Sequence, residues 1–143
     1  MGLDVGTRTV GVAISDELGI TAQSVVTLRE EGFKAYLRAL SELVRSHEVN
    51  RVVVGLPLNM DGSEGPRVEA SKRFGNALAS ALQLPVEYWD ERLSTVAVQR
   101  VLIEANLSRA KRRNVIDRAA AVWILQGWLD SKRPIDLDQD DPT

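Results

Sequence analysis

The first motif of the chain, Gly2-Leu-Asp-Val-Gly-Thr-Arg-Thr-Val-Gly-Val-Ala13, is the clearest indication of the fold. Two short apolar runs flank residues 6–9 and predict two antiparallel strands joined by a tight turn. Because strand side chains alternate between faces, this turn places Asp4 opposite Gly11. A carboxylate inside an apolar strand is costly unless it is paired or coordinated. We therefore expect Asp4 to face room for an ion or a phosphate, the alternative being a turn-forming aspartate.

The remaining segments predict one α/β domain with a mixed five-stranded sheet flanked by helices. Apolar or β-branched runs indicate strands at residues 20–28, 51–55 and 85–89. Apolar spacing and capping signals indicate helices at residues 33–47, 66–82, 94 or 95 to about 105, and 115 to about 129. The first three strands should form an antiparallel meander, which the later strands join in parallel through right-handed crossovers. We expect this domain to span residues 1–130, followed by an acidic, disordered tail at 131–143.

The composition excludes several kinds of chemistry. The 143 residues include no cysteine and one histidine, which excludes disulfides, thiolate nucleophiles and cysteine-ligated zinc. The formal charge of −2 is unevenly distributed, because residues 92–118 carry +5 and residues 130–143 carry −3. No apolar run approaches the length of a membrane-spanning helix. We therefore expect no membrane partner and a cytoplasmic location.

Asp117 is a second acidic candidate, on the last predicted helix. Ala120, Ala121 and Ile124 follow it at helical spacing, so Asp117 lies on the apolar stripe of that helix. The small alanine side chains would let the helix approach the sheet closely. A first-turn aspartate stabilised by the helix dipole is the alternative.

The adjacent acids Asp90 and Glu91 follow the last predicted strand, where open α/β sheets place their sites. Either could instead cap a helix or pair with Arg92, and periodicity does not choose between them. Carboxylates from two strand positions and one helix form an oxygen-only ligand set, which suits Mg²⁺ or Mn²⁺. Divalent ions held in this way neutralise phosphate oxygens and activate water for displacement at phosphorus.

A basic segment directly precedes Asp117. It contains Arg109, Lys111, Arg112 and Arg113. A polyanionic backbone is the natural partner of such a segment, and a solvated basic loop is the alternative.

Four motifs in this order resemble the YqgF family, also called RuvX, the Holliday-junction-resolvase-like proteins of bacteria. They are the first motif, Val54-Gly-Leu-Pro-Leu-Asn-Met-Asp-Gly62, Asp90-Glu-Arg-Leu-Ser-Thr95 and Ile116-Asp-Arg-Ala-Ala-Ala-Val-Trp-Ile-Leu-Gln126. The resemblance implies a ribonuclease-H-like fold and a metal-dependent nuclease with Asp4, Glu91 and Asp117 as its motif acids. The choice of Glu91 over Asp90 rests on this resemblance alone.

The resemblance also implies a role in maturing the 5′ end of the 16S ribosomal RNA precursor. In this hypothesis the partners are structured RNA and ribosomal precursor particles, and Arg8 and the basic segment hold the RNA backbone. One alternative is a Holliday junction resolvase acting on branched DNA, which would need a homodimer to cut two strands symmetrically, whereas an RNA nuclease could be a monomer. Another is a non-catalytic RNA-binding factor of ribosome assembly. An ATP-binding sugar kinase or actin-like protein is disfavoured, because such proteins need two domains around the nucleotide.

Overall fold

The computed structural model describes residues 1–93 and 109–132, with side chains for residues 1–93 and 120–132. Five strands form one mixed sheet in the order β3-β2-β1-β4-β5. The strands are β1 (Gly2–Val5), β2 (Val10–Ser15), β3 (Ala22–Leu28), β4 (Val52–Leu56) and β5 (Val86–Asp90). The helices in the described residues are α1 (Phe33–Ser46), α2 (Pro66–Leu82) and α3 (Arg109–Lys132).

The pairing of the strands confirms the predicted topology. Strand β1 pairs antiparallel with β2, and β2 pairs antiparallel with β3. Strand β4 lies parallel to β1 and also to β5. The register places Asp4 opposite Gly11, as the turn at residues 6–9 predicts. The carboxyl ends of β1, β4 and β5 consequently meet at one edge of the sheet.

Each face of the sheet is covered by helices. Leu3 and Val54 point to one face, where they pack with Leu40 of α1 and Leu78 of α2. The other face is covered by α3, whose buried residues pack against Ala13 and Val53 of the sheet: Ala121, Ile124, Leu125 and Leu129. The core therefore has two layers, and α3 crosses the face toward which Asp4 and Gly11 are directed.

The last helix is longer than predicted. It begins at Arg109 instead of residue 115 and ends at Lys132. Its first turns are polar, so hydrophobic periodicity does not detect them, whereas alanine, lysine and arginine are among the better helix formers. The basic segment is thus part of α3 and not a loop before it.

The tail expected at 131–143 begins too early, because Ser131 and Lys132 belong to α3. The rest of that tail and the helix expected at 94–105 lie outside the described residues. Within residues 1–93 and 109–132, no helix combines the length and the apolar character needed to cross a membrane.

Candidate active site

Asp4 and Glu91 come together at the sheet edge formed by the parallel strands. Asp4 lies near the end of β1, and Glu91 directly follows β5. Strand β4 lies between them, and its Leu56 carbonyl accepts a hydrogen bond from the Glu91 backbone N–H at 3.1 Å. This bond fixes the Glu91 backbone at the end of β4.

The carboxyl groups of Asp4 and Glu91 share a hydrogen bond. Burial, followed by the negative charge of Asp4, raises the pKa of Glu91 to about 8, although the nearby Arg67 guanidinium acts in the opposite direction. The pKa of Glu91 therefore lies above neutral pH, and the pair favours one retained proton over two negative charges. Two acids in contact resist ionising together, because each charge disfavours the other.

Glycines on both neighbouring strands leave the space that these acids occupy. A Cβ atom at Gly55 of β4 would approach within 2.6 Å of Glu91 Oε1 and would collide with the Ile124 side chain of α3. A Cβ at Gly11 would lie 3.7 Å from the Asp4 Cβ and 3.6 Å from the Ala121 Cβ. The absence of a side chain at Gly55 is thus a requirement for Glu91 to reach Asp4.

Asp90 has a different partner. Its carboxylate accepts hydrogen bonds from Arg92, from the backbone N–H at 3.0 Å and from Nη2 at 2.7 Å. These contacts hold the pKa of Asp90 below its ordinary value. Arg92 Nη1 also donates to the carbonyl oxygens of Asn59 and Met60, at 3.5 and 3.3 Å. Asp90 and Arg92 therefore anchor the loop after β4, while Glu91 turns toward Asp4.

Asp117 lies on α3, one turn before Ala121. Ala121 is buried against the sheet and faces Gly11, the residue opposite Asp4. The Asp117 side chain lies outside the described residues. Among the described side chains no cluster of three or more potential metal ligands is found, so the acids brought together there are the pair Asp4 and Glu91.

The predicted basic residues occupy two places. Arg8 is exposed in the turn between β1 and β2, and its carbonyl accepts a hydrogen bond from the Tyr36 hydroxyl at 3.0 Å. The other four lie on the first two turns of α3, and their side chains are outside the described residues: Arg109, Lys111, Arg112 and Arg113.

Sequence reasoning missed Arg67 and the role of Gly55. Arg67 Nη2 donates to the Val5 carbonyl at 3.3 Å, and its charge acts on Glu91. A signal for Arg67 was present, because Pro66 marks the first position of a helix that follows a parallel strand. Such a helix begins at the carboxyl edge of the sheet, where Asp4 was already expected.

The chain matches the RuvX family model, which is described as "Holliday junction resolvase", over residues 1–131. It is 62% identical over 138 residues to a Myxococcus xanthus protein named "Putative pre-16S rRNA nuclease", covering 96% of this chain and 91% of that protein. A Heliobacterium modesticaldum protein of the same name is 54% identical over 132 residues, with 92% and 89% covered.

Among solved structures, "T. thermophilus RuvC in complex with Holliday junction substrate" superposes with a TM-score of 0.56 at 12% identity, covering 92% of each chain. At this identity the likeness concerns the fold, and it confirms the predicted ribonuclease-H-like architecture.

Proposed function

Because the chain belongs to the RuvX family, we propose that it is a metal-dependent nuclease that hydrolyses phosphodiester bonds at the 5′ end of the 16S ribosomal RNA precursor. The observation that carries this proposal is the partly buried contact between Asp4 and Glu91. It is supported by the names of the M. xanthus and H. modesticaldum relatives, which match nearly the whole chain.

The Asp4–Glu91 pair fits a divalent cation. Burial, and then the contact with Asp4, keep the pKa of Glu91 at about 8 even with Arg67 nearby. A divalent cation would offset the cost of burying these charges and the repulsion between them. Their oxygen atoms suit Mg²⁺ or Mn²⁺, and Gly55 and Gly11 keep the surrounding space open. Asp4, Glu91 and Asp117 would hold the ion, which supplies charge neutralisation at the phosphate and activation of water.

The basic side chains of the chain have a separate task. Arg67, beside Glu91, is placed to pair with a phosphate oxygen at the reacting bond. Arg8 extends the positive charge along the turn after β1, and Arg112 and Arg113 extend it along the start of α3. These contacts would hold the RNA backbone in register without reading its sequence.

We favour RNA as the substrate because the M. xanthus and H. modesticaldum relatives carry an RNA nuclease name. The alternative of a Holliday junction resolvase draws on the description of the family model. A cytoplasmic location and association with ribosomal precursor particles follow from the RNA hypothesis. We also propose that residues 1–132, up to the end of α3, form the catalytic domain and that the acidic residues from 133 onward are a tail outside it.

The test uses the purified protein with labelled 16S precursor RNA and with four-way DNA junctions, in Mg²⁺, in Mn²⁺ and in EDTA. Asp4→Asn should reduce cleavage at least a hundredfold and leave RNA binding within a factor of two, because the fold is kept and one ligand is lost. Asp16→Asn is the matched control at the opposite sheet edge. There an asparagine oxygen can still accept the backbone hydrogen bonds from Ile20 and Thr21.

Each outcome separates two hypotheses. Cleavage by Asp4→Asn at the wild-type rate would remove the metal site from consideration. Cleavage of junctions but not of RNA would favour the resolvase, and RNA binding without cleavage in either metal would favour the assembly factor.

A further inference from the structure

An apolar cleft lies at the same carboxyl edge of the sheet as the candidate active site, but on the face covered by α1 and α2, between the turn after β1 and the first turns of these two helices. Its volume is about 420 Å³, within the usual range for small-molecule sites. Most of its lining is apolar or aromatic and includes Val5, Val10, Phe33, Tyr36, Ala70 and Phe74. The acids of the candidate site are not part of this lining.

We propose that this cleft binds one nucleobase of the substrate strand, turned out of its stack next to the phosphate that is cleaved. The inference rests on the proposed nuclease function and extends it. The carboxylates define the site of the phosphate, and the cleft adds a separate site for the base.

The aromatic residues of the cleft supply the contact surface. Phe74 packs edge-on against Phe33, with ring centroids 5.4 Å apart, and against Tyr36 at 5.9 Å. All three side chains remain partly exposed. Unstacked bases are bound by proteins on such surfaces, because every base has an apolar face that an aromatic ring can cover.

Arg67 connects the cleft to the acids. It lines the cleft, donates to the Val5 carbonyl at 3.3 Å, and acts electrostatically on Glu91. A phosphate paired with this guanidinium would lie between the carboxylates and the cleft, and its own nucleoside would be the nearest part of the chain to enter. This charge next to an apolar wall favours a nucleotide over a purely apolar partner.

The wall of the cleft is fixed before any ligand binds. The Gly6 N–H donates to the Thr9 carbonyl at 2.8 Å and closes the turn. The Tyr36 hydroxyl donates to the Arg8 carbonyl at 3.0 Å and ties this turn to α1. A preformed wall lowers the entropic cost of capturing one base.

The test fills the cleft without touching its aromatic residues. Ala70→Phe places a ring into the cleft from an exposed position on α2. Ala81→Phe is the matched control, because Ala81 is exposed on the same helix eleven residues later, about 16 Å further along its axis. The probe is a set of short single-stranded RNAs from the 5′ region of the 16S precursor, each with one abasic position.

Binding is measured in EDTA by fluorescence anisotropy, and cleavage is measured in Mg²⁺. For the wild type we expect one abasic position to weaken binding about tenfold, the size of one base–aromatic contact. Ala70→Phe should weaken binding of the intact RNA by a similar factor and should show no further loss with that abasic RNA. Ala81→Phe should behave as the wild type does.

The outcomes distinguish this inference from the proposed function. The base site would be overturned if all abasic RNAs bind equally well. It would also be overturned if the losses of affinity caused by Ala70→Phe and by the abasic position multiply when the two are combined. Either result would count even if the protein cleaves RNA. Loss of binding confined to one abasic position and to Ala70→Phe, in a protein that cleaves nothing, would support the base site and reject the nuclease.

Discussion

Replacing Glu91 by glutamine should stabilise the metal-free protein at alkaline pH. Glu91 is mostly buried and contacts the Asp4 carboxyl group, so ionising it places two negative charges together. The glutamine side chain has nearly the same shape, carries no charge at any pH, and can donate an amide hydrogen to Asp4. Glu91→Gln thus keeps the contact and removes the repulsion.

The magnitude follows from the pKa of Glu91, about 8 in the folded protein against an ordinary 4.5. Between these two values the folded state binds the proton and the unfolded state does not, so the free energy of unfolding falls as the pH rises. The stabilisation that comes from the protonated Glu91 side chain is fully present below pH 4.5 and is lost above pH 8. At about 1.4 kcal/mol per pH unit, the loss is at most about 5 kcal/mol.

Urea denaturation in EDTA, followed by tryptophan fluorescence from pH 5 to pH 9, measures this difference. At pH 5 the two proteins should differ by about 1 kcal/mol or less, and at pH 8.5 Glu91→Gln should be more stable by several kcal/mol. Other titrating groups affect both proteins alike, so the difference between them isolates Glu91.

Asp90→Asn is the control, one residue away and opposite in sign. The pKa of Asp90 is held below its ordinary value by Arg92. The ionised carboxylate therefore adds to the free energy of unfolding at any pH above that ordinary value, and Asp90→Asn should lower this free energy by about 1 kcal/mol at pH 8.5.

Addition of Mg²⁺ should raise the stability of the wild type and leave that of Glu91→Gln nearly unchanged, since only a ligand bound to the folded state stabilises it. A Glu91→Gln protein that is less stable than wild type at every pH would refute the repulsive contact.

Three other changes test the surroundings of this pair. Gly55→Ala should lower stability by about 1–3 kcal/mol and reduce cleavage at least tenfold, because the added methyl displaces Glu91; urea denaturation and the RNA cleavage assay measure both. Arg92→Gln should speed amide hydrogen exchange at residues 59–62, because the loop carbonyls lose their hydrogen bonds to Arg92. Unchanged exchange would mean that Arg92 does not stabilise the loop. Neutralising Arg112 and Arg113 together should reduce the salt dependence of RNA binding by about 1.4 in log–log slope, and an unchanged slope would exclude both from the backbone contact.

The backbone arrangement of the site could be predicted because it depends on local signals. The turn at residues 6–9 sets the register of β1 and β2, and alternation of side chains then places Asp4 opposite Gly11. The parallel position of β5 follows from the helix between it and β4. These steps need no knowledge of side-chain packing.

The choice between Asp90 and Glu91 could not be made from spacing, because adjacent residues at a strand end reach the same edge. The structure separates them through their partners: Arg92 pairs with Asp90, and Glu91 contacts Asp4. Gly55 is similar, since its importance depends on how closely Ile124 and Glu91 approach β4. Such distances result from tertiary packing and leave no periodic trace in the sequence.

The position of Arg67 sharpens the argument for a cation at the acid pair. Its positive charge lowers the pKa of Glu91, yet burial and Asp4 still hold that pKa near 8. The single guanidinium of Arg67 therefore does not offset the cost of two negative charges on Asp4 and Glu91. Arg67 also donates a hydrogen bond to the Val5 carbonyl. Compensation must come from a proton, as in the isolated protein, or from an ion with more than one positive charge. The same acids that cost stability without such an ion would bind it most strongly, and for this reason Glu91→Gln should gain stability in EDTA and lose affinity for Mg²⁺.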